Sequence, residues 1–260
     1  MAGGVMAKVR LEAVTKRFGD VLAVNDLSLD IRDGEFFVLV GPTGCGKTTT
    51  LRLIAGLERP DSGNIYIDGE LMNEVGVGQR GVQMIFQNYA LWPHMRVMDE
   101  KQYTNLNFAL KIRKWLGKEI KGRVEDITRR IGIDSHLYPR KPDELSEGQK
   151  QKVAIGRSIV IPPRVFLMDD PMTNIDPPSR IALREEILKV HKDLGTTTVY
   201  VTHNMVDAMA MADRIAVMNE GSILQVDTPE QMYYHPRDDF IADFIRSYDS
   251  GLAWRSRRQV

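Results

Sequence analysis

Residues 41–48 (GPTGCGKT) place three glycines, a lysine and a threonine at the spacing G-x-x-x-x-G-K-[ST]. Backbone N–H groups of such a turn can point inward and bind phosphate oxygens, and the following helix N-terminus adds positive potential. In this pattern Lys47 bridges the β- and γ-phosphates of a nucleotide, and the Thr48 hydroxyl ligates Mg²⁺. The predicted nucleotide contacts in this stretch are Gly41, Pro42, Thr43, Gly44, Cys45, Gly46, Lys47, Thr48 and Thr49.

The sequences on either side of this loop have the patterns that the motif requires. The apolar run 35–40 (EFFVLV) predicts a buried strand, and residues 49–56 (TTLRLIAG) predict the first turns of a helix. A glycine-rich strand–helix turn without a ligand is the alternative interpretation, and both the octet and its context argue against it.

Two carboxylates follow a second apolar run, at 164–170 (RVFLMDD). Asp169, at the end of this predicted strand, would ligate Mg²⁺ directly or through water. Asp170 would point at the γ-phosphate and orient or deprotonate the attacking water. His203 follows a β-branched strand at 196–202 (TTTVYVT) and would reach the γ-phosphate from the far side. In the alternative interpretation, the two aspartates lie in a turn or cap a helix, and the histidine has only a structural role.

The composition limits the class of protein. The 260 residues carry 35 basic and 35 acidic side chains, so the formal net charge is zero. This neutrality argues against nucleic acid as the main partner. No apolar run reaches about 18 residues, and the N-terminus has no apolar signal-peptide core, so we expect neither a membrane-spanning helix nor a signal peptide.

Cys45 is the single cysteine of the sequence and lies inside the glycine-rich loop. A single cysteine excludes an internal disulfide and suits a reducing compartment. We predict that a thiol alkylator blocks nucleotide binding and that bound ATP protects the thiol.

The rest of the chain mixes strand and helix patterns, which predicts an α/β fold. Alternation of apolar and polar residues over 8–31 predicts two or three antiparallel strands. Over 97–140, apolar residues recur among charged ones at three- and four-residue spacing, which predicts a helical insert. Ser146 is a good N-cap for a helix over 147–161. Further strands are predicted at 64–68, 81–87, 215–218 and 222–226, further helices at 178–194, 205–213 and within 229–246, and a frayed basic tail at 254–258.

Beyond these patterns, the chain from Lys8 to Arg246 resembles the ATPase subunit, or nucleotide-binding domain, of ABC transporters. The most specific element is 145–149 (LSEGQ), which resembles the ABC signature and which other P-loop classes lack. The other matching positions are Gln87 (Q-loop), Asp169 and Asp170 (Walker B pair), Thr173-Asn174-Ile175-Asp176 (D-loop) and His203 (switch histidine).

The resemblance implies a P-loop NTPase (RecA-like) core with an antiparallel β subdomain and an ABC-type helical subdomain. We expect a single ATPase domain over 8–246. Within it, the core and β subdomain would occupy 8–95 and 160–235, and the helical subdomain 96–159. Residues 236–260 would form a C-terminal tail, and the regulatory domain of maltose-type relatives would be absent.

The resemblance also implies roles for individual residues. The implied catalytic residues are Asp170, His203, Lys47 and Gln87, and the implied Mg²⁺ contacts are Thr48, Gln87 and Asp169. The ring of Phe18 would stack on adenine, although an aromatic at a hairpin tip can equally pack on its neighbours. The resemblance also implies nucleotide contacts by Ser146, Gly148, Gln149 and Asp176.

The implied assembly is a head-to-tail dimer in which ATP lies between the loop of one chain and the signature helix of the other. The implied partners are transmembrane permease subunits, a second ATPase subunit of the same or a homologous chain and, indirectly, an extracytoplasmic solute-binding protein. The chain would then sit at the cytoplasmic face of the cell membrane. Stretches such as VFLMDDP and QVDTPEQMYYHPRDDF resemble maltose-type sugar importers. The ATPases of importers for polyamines, iron or sulfate share much of this sequence.

Three features depart from the family pattern. Asp170 stands where a glutamate is usual, Glu147 stands where the signature has glycine, and too few residues follow Arg246 for a regulatory domain. The first two predict a slow ATPase or one half of a heterodimer. The alternatives are a soluble ABC ATPase, a GTPase or kinase, and an ATP-binding subunit that hardly turns over. The absence of an N-K-x-D element argues against a GTPase.

Overall fold

The computed structural model describes residues 7–173 and 175–248. Asn174 of the predicted D-loop and the predicted basic tail at 254–258 lie outside these residues. The chain divides into two compact units, one formed by residues up to 82 with 164–170 and 195 onward, the other by 83–163 with 171–194. The domain bounds expected from the sequence stay a prediction.

The described residues contain ten strands and eight α-helices. The strands are β1 (Val9–Phe18), β2 (Val21–Ile31), β3 (Phe36–Val40), β4 (Ser62–Ile67), β5 (Glu70–Leu71), β6 (Val82–Ile85), β7 (Val165–Asp169), β8 (Thr197–Thr202), β9 (Arg214–Asn219) and β10 (Ser222–Asp227). The helices are α1 (Lys47–Ala55), α2 (Phe108–Ile112), α3 (Gly117–Arg130), α4 (Glu147–Ile159), α5 (Pro177–Leu194), α6 (Met205–Met211), α7 (Pro229–Tyr234) and α8 (Asp239–Arg246). Single 3₁₀ turns lie at 77–79, 135–137 and 142–144.

The first unit contains a mostly parallel sheet in the order β10-β9-β3-β8-β7. Strands β9, β3, β8 and β7 are parallel, and β10 pairs antiparallel with β9. Every residue of β3, β7 and β8 is buried, which is the pattern of parallel strands covered on both faces. Because β3, β7 and β8 run in one direction, the segments that follow them emerge at the same edge of the sheet.

An antiparallel sheet of order β2-β1-β4-β5 completes the first unit. Strands β1 and β2 form the hairpin that the alternation over 8–31 predicts, and they turn at Gly19 and Asp20. Val9, Leu11 and Val14 are buried along one face of β1. The sheet register is irregular near Val14, where β1 carries bulges toward both neighbours.

In the second unit, the prediction of a helical insert over 97–140 is only partly right. Helix α2 has five residues and α3 has fourteen, and much of the remainder is irregular. The buried amide of Asn105 explains how such backbone is satisfied, since it donates to the carbonyls of Trp92, Met95 and Arg96. Sequence periodicity does not report side-chain-to-backbone bonds of this kind.

Helices α3 and α4 approach closely at Gly156. A Cβ built at Gly156 would lie 2.7 Å from the terminal methyl group of Ile131, the C-cap of α3, so a larger residue would require that side chain to move. Ser146 caps α4 as predicted. Among the described residues, no helix combines the length and the apolar character needed to cross a bilayer.

Candidate nucleotide site

The glycine-rich loop joins the end of β3 to the start of α1, in the predicted order of strand, turn and helix. Gly44 and Gly46 have φ values of 84° and 108°, in the left-handed region that favours glycine. A Cβ at Gly46 would lie 2.2 Å from the carbonyl oxygen of Ala23, and one at Gly41 would lie 2.1 Å from that of Met218. Both glycines are therefore required by close backbone approach.

Lys47 is buried, and its ammonium is directed back over the loop. Its Nζ donates to the carbonyl oxygens of Gly41 at 2.9 Å and Pro42 at 2.8 Å. The loop carbonyls thus fix a cation at the N-terminus of α1, an arrangement suited to an anion.

An open cavity of about 350 Å³ lies against this loop. Its lining residues are Val21, Leu22, Ala23, Gly44, Gly46, Lys47, Thr48, Thr49, Glu220 and Gly221. The turn between β9 and β10 is tied to the loop, because the Gly221 N–H donates to the Cys45 carbonyl at 3.0 Å. The sequence identified Glu220 and Gly221 only as a hairpin turn.

Phe18 lies at the end of β1 and is 45% exposed. The Lys16 ammonium lies 5.3 Å from the centre of its ring, within range of a cation–π contact. Phe18 is not among the residues lining the cavity, so its role in stacking on adenine stays a prediction.

Thr48 and Asp169, both predicted to contact Mg²⁺, are brought into direct contact. The Thr48 hydroxyl donates to Asp169 Oδ1 at 2.8 Å. Burial raises the pKa of Asp169, the Thr48 hydrogen bond opposes the rise, and the neighbouring charge of Asp170 adds to it. A nearby cation would relieve the cost of this buried negative charge.

The donor set at this point suits Mg²⁺. Among the described residues, no three His, Cys, Asp or Glu side chains form a metal-binding group. Mg²⁺ usually takes one or two carboxylates and completes its shell with waters and substrate phosphates. The hard oxygens of Thr48 and Asp169, beside a phosphate-type loop, fit that requirement.

Asp170 and His203 form a second pair at the same edge of the sheet. His203 Nδ1 lies 2.5 Å from Asp170 Oδ2, and the two side chains are 40% and 16% exposed. Asp170 has φ 45°, and its N–H donates to the carbonyl of Val201 at 2.9 Å. The structure therefore joins the two residues predicted to act on the γ-phosphate and its attacking water.

Tyr248 also contacts His203 of this pair, although no sequence pattern marked it as a functional residue. Its hydroxyl donates to the carbonyl oxygen of His203 at 3.0 Å. Burial raises the pKa of the Tyr248 phenol, and the negative charge of Asp170 raises it further. No local pattern signals this contact, because 45 residues separate the two partners.

The signature stretch lies in the second unit at the N-terminus of α4. Ser146 Oγ accepts from the Gln149 N–H at 3.3 Å, and Gln149 Oε1 accepts from the Ser146 N–H at 3.0 Å, which makes a capping box. Space is open around Gly148, where an added Cβ would meet no atom within 4 Å.

Glu147, which departs from the signature pattern, is held to the side of the helix end. Its Oε1 accepts from Lys150 Nζ at 2.7 Å, and its side chain is 46% exposed. Burial raises the pKa of Tyr89 to about 12, with the charge and hydrogen bond of Glu147 adding to the effect. Glu147 therefore has both a cationic and a phenolic partner within its own unit.

Gln87 and Asp176 also belong to the second unit. Gln87 lines an open groove of about 320 Å³ with Tyr89, Glu147 and Lys150. Asp176 Oδ2 accepts from the Ser179 N–H at 3.1 Å, and that backbone bond lowers its pKa. The predicted roles of Gln87, Asp176 and the signature residues at one shared nucleotide stay predictions.

Comparison with known proteins places this geometry among nucleotide-binding subunits. The sequence model of the family described as ABC transporter matches residues 24–173. The trehalose/maltose import ATP-binding protein of Thermococcus litoralis is 50% identical over 248 residues, covering 93% of this chain and 65% of the relative. The xylose/arabinose import ATP-binding protein of Haloferax volcanii is 51% identical, covering 92% of this chain and 61% of the relative. The chain thus spans less than two thirds of the length of these relatives.

Solved structures show the same fold. An ATP-binding cassette determined as a dimer, in a post-hydrolysis state with ADP and Pi bound, matches with a TM-score of 0.74 and 28% identity, covering 85% of this chain and 98% of that one. A subunit of an ABC transporter complex from Clostridium perfringens matches with a TM-score of 0.78 and 25% identity, covering 94% and 95%. These matches confirm the predicted α/β P-loop NTPase fold.

Proposed function

The chain belongs to the ABC transporter family, and on that premise we propose that it is the ATP-hydrolysing subunit of an importer for a sugar or sugar-like solute. The observation that carries the ATPase proposal is the Thr48–Asp169 contact beside the buried ammonium of Lys47. The names of the relatives, which are import ATP-binding proteins for trehalose/maltose and xylose/arabinose, support the solute class.

In this proposal the loop and α1 bind the triphosphate. The backbone N–H groups of residues 43–48 and the Lys47 ammonium neutralise the β- and γ-phosphates. Thr48 and Asp169 would hold Mg²⁺, which supplies positive charge to the transferring phosphoryl group. The family resemblance adds Gln87 as a further oxygen donor to the ion.

The Asp170–His203 pair would serve the attack of water. Asp170 accepts a proton as the water oxygen attacks the γ-phosphorus, and the bond to ADP breaks to release inorganic phosphate. His203 orients the carboxylate and offers a hydrogen bond toward the charge that develops on the phosphoryl oxygens. The short Nδ1–Oδ2 contact supports this proposal, because it holds the two side chains together at one place.

The assembly is proposed to be a dimer. The N-terminus of α4, at Ser146 and Gly148, has the dipole and the open space to meet a γ-phosphate held by a second chain. The cassette solved as a dimer supports this arrangement. Permease subunits, with a solute-binding protein beyond them, would place the chain peripherally at the cytoplasmic face of the membrane.

A slow ATPase within a heterodimer is the second candidate. Asp170 is one methylene shorter than the usual glutamate and is engaged by His203. A displacement of about 1 Å at a reacting group can cost on the order of 100-fold in rate. In a heterodimer, a partner subunit would supply one full-rate site.

ATP hydrolysis by the purified chain tests the proposal. With Mg²⁺ present, Lys47→Ala is expected to lower the rate by about 100-fold or more, because it removes the buried charge that faces the transferring phosphate. Lys189→Ala, on an exposed position of α5, is the matched control and should keep the wild-type rate. Equal rates for the wild type and Lys47→Ala would overturn the proposal.

A further inference from the structure

The turn between α2 and α3 exposes an unusual run of side chains. Every one of residues 112–119 (IRKWLGKE), here called the tip segment, is exposed. Ile112 is 59% exposed, Trp115 38% and Leu116 70%. Large apolar side chains clustered on an exposed turn mark an interaction site more often than isolated surface residues do.

The tip segment is an ordered turn. The Lys114 N–H donates to the Lys111 carbonyl at 2.9 Å, and the Trp115 N–H donates to the Leu110 carbonyl at 3.2 Å. Glu119 accepts from the Leu116 N–H at 3.0 Å. Leu110 and Ile120 are buried on either side. The buried flanks and the local bonds therefore hold Trp115 and Leu116 outward.

Basic residues surround these apolar side chains. Residues 111–119 contain four cationic side chains and one acidic one: Lys111, Arg113, Lys114, Lys118 and Glu119. Lys111 extends the patch toward Tyr103, which is 52% exposed, since the Lys111 ammonium lies 5.5 Å from the centre of the Tyr103 ring. The chain as a whole is neutral, so this local positive charge is not a property of the general surface.

We propose that the tip segment binds directly to an anionic lipid surface. Lys and Arg near such a surface each gain electrostatic attraction, and Trp and Tyr favour the headgroup level because their rings are amphipathic. Peripheral proteins bind membranes by this combination of apolar insertion and basic charge. The inference goes beyond the proposed ATPase, because it needs neither nucleotide nor permease.

A lipid surface fits the tip segment better than a protein partner does. A stable protein interface buries about 800 Å² on each side and relies on central anchors in enclosed pockets. All eight residues of the tip segment are exposed, and Leu116, at 70% exposure, projects from the surface and does not line a pocket. Headgroups and acyl chains need no such complementary shape, so charge and apolarity suffice.

Co-sedimentation of the full chain with vesicles tests the charge contribution. Vesicles of phosphatidylcholine with phosphatidylglycerol should bind the chain at low salt, whereas phosphatidylcholine alone should not. Arg113→Glu/Lys118→Glu is expected to lower the partition coefficient by about tenfold or more. Arg59→Glu/Lys189→Glu makes the same charge change at two other exposed positions and should leave the coefficient within about twofold of wild type.

A second variant tests the apolar contribution. Trp115→Ser/Leu116→Ser removes two exposed apolar side chains, and Leu116 is the N-cap of α3, where serine is favourable. This variant should fold, and it should lose both vesicle binding and the blue shift of tryptophan emission that anionic vesicles cause in the wild type. Circular dichroism checks that each variant is folded.

Three outcomes would overturn the lipid proposal. The first is equal sedimentation of the wild type with neutral and anionic vesicles. The second is an equal loss of binding in the control and tip-segment charge variants. The third is unchanged vesicle binding by Arg113→Glu/Lys118→Glu with lost capture by permease-containing membranes, which would make the segment a protein interface. The ATPase rate, measured without vesicles, separates any of these from failure of the proposed function.

Discussion

In the proposed function, the carboxylate of Asp170 accepts the proton of the attacking water, so its position should govern the rate. It lies 2.5 Å from His203 Nδ1, on a residue whose φ is 45°. Its backbone is anchored to β8 through the carbonyl of Val201. A short side chain on a fixed backbone limits how far the carboxylate can extend toward an attacking water.

We expect Asp170→Glu to raise the rate of ATP hydrolysis about tenfold or more, because the added methylene moves the carboxylate outward by about 1 Å. Asp170→Asn should lower it by about 100-fold or more, because the amide cannot accept the proton. Steady-state phosphate release measures both. An Asp170→Glu rate equal to wild type would mean that aspartate already stands at the working distance, and a wild-type rate for Asp170→Asn would exclude Asp170 as the base.

The rate at which Cys45 is alkylated is expected to depend on pH. Burial raises the pKa of its thiol, while the nearby Lys47 charge opposes the rise. A raised pKa leaves less thiolate at neutral pH, so alkylation should be slow at pH 7 and accelerate as the pH rises toward and past the usual thiol range. Mass spectrometry of the alkylated chain follows the reaction, and ATP should slow it. Cys45→Ser is the control, and pH-independent, ATP-insensitive alkylation would contradict both the burial and the position of the thiol.

Tyr248 is expected to act as a positioning residue for His203. Tyr248→Phe removes only the hydroxyl that holds the His203 carbonyl, a bond worth roughly 1 kcal/mol. We expect kcat for ATP to fall about threefold to tenfold with KM unchanged, and the pH profile of kcat to shift. Tyr103→Phe, on an exposed tyrosine of the second unit, should change neither. A rise in KM with constant kcat would assign Tyr248 to binding instead.

At the scale of elements, the buried guanidinium of Arg80 joins helix α1 to the loops that follow it. It donates to the carbonyls of Leu53 and Ile54 at the end of α1, and to those of Met72 and Val75. The last carbonyls of a helix lack intrahelical partners, and Arg80 supplies donors to them. The carbonyls of Leu53 and Met72 also accept from backbone N–H groups, those of Gly56 and Val75. Arg80 adds a second donor to each of these and donates to the carbonyls of Ile54 and Val75 as well.

Replacing Arg80 with methionine should destabilise the chain by about 3 kcal/mol or more, because the substitution removes all the hydrogen bonds of a buried guanidinium together. Urea unfolding measures the loss. Arg59→Met, at a residue whose side chain is 73% exposed, is the control and should change stability by about 0.5 kcal/mol or less. A fully stable Arg80→Met variant would show that water or a relaxed backbone can replace the guanidinium.

The elements nearest the chemistry were predictable because their signals are local. The strand before residue 41, the helix after Lys47, the acidic end of β7 and the Ser146 cap all follow from patterns within a few residues. The helical insert was predicted too broadly. Its irregular backbone depends on amide bonds such as those of Asn105, which periodicity cannot register.

Contacts between distant positions were not predictable. Arg80 reaches the carbonyls of Leu53 and Ile54, 27 and 26 residues away, and neither its side-chain type nor that of Tyr248 signals such a partner. Tyr248 reaches the carbonyl of His203, 45 residues away. Asp170 and His203 were each assigned to the γ-phosphate, but their direct contact depends on the order β8-β7 in the sheet. Sequence spacing alone does not determine that order.

At the scale of the whole molecule, the residues with proposed roles fall into two groups. The loop, Asp169, Asp170 and His203 belong to the first compact unit, and Gln87, Ser146 and Asp176 to the second. Such a division suits a protein in which ATP binding favours one conformation over another. A ligand can shift a conformational equilibrium only if it binds one state more tightly than the other. In the proposed dimer, a second chain would complete each site and so supply that difference in affinity.

The claim that one triphosphate is held by the Lys47 loop of one chain and the Ser146 helix end of another is tested most directly by the mass of the chain in solution. Light scattering of Asp170→Asn, which should bind ATP without hydrolysing it, is predicted to give one chain without nucleotide and two chains with ATP and Mg²⁺. Adding Lys47→Ala or Ser146→Arg to that variant should each keep the mass at one chain. A mass that stays at one chain with bound ATP, or a dimer that forms equally well in both added variants, would contradict the claim.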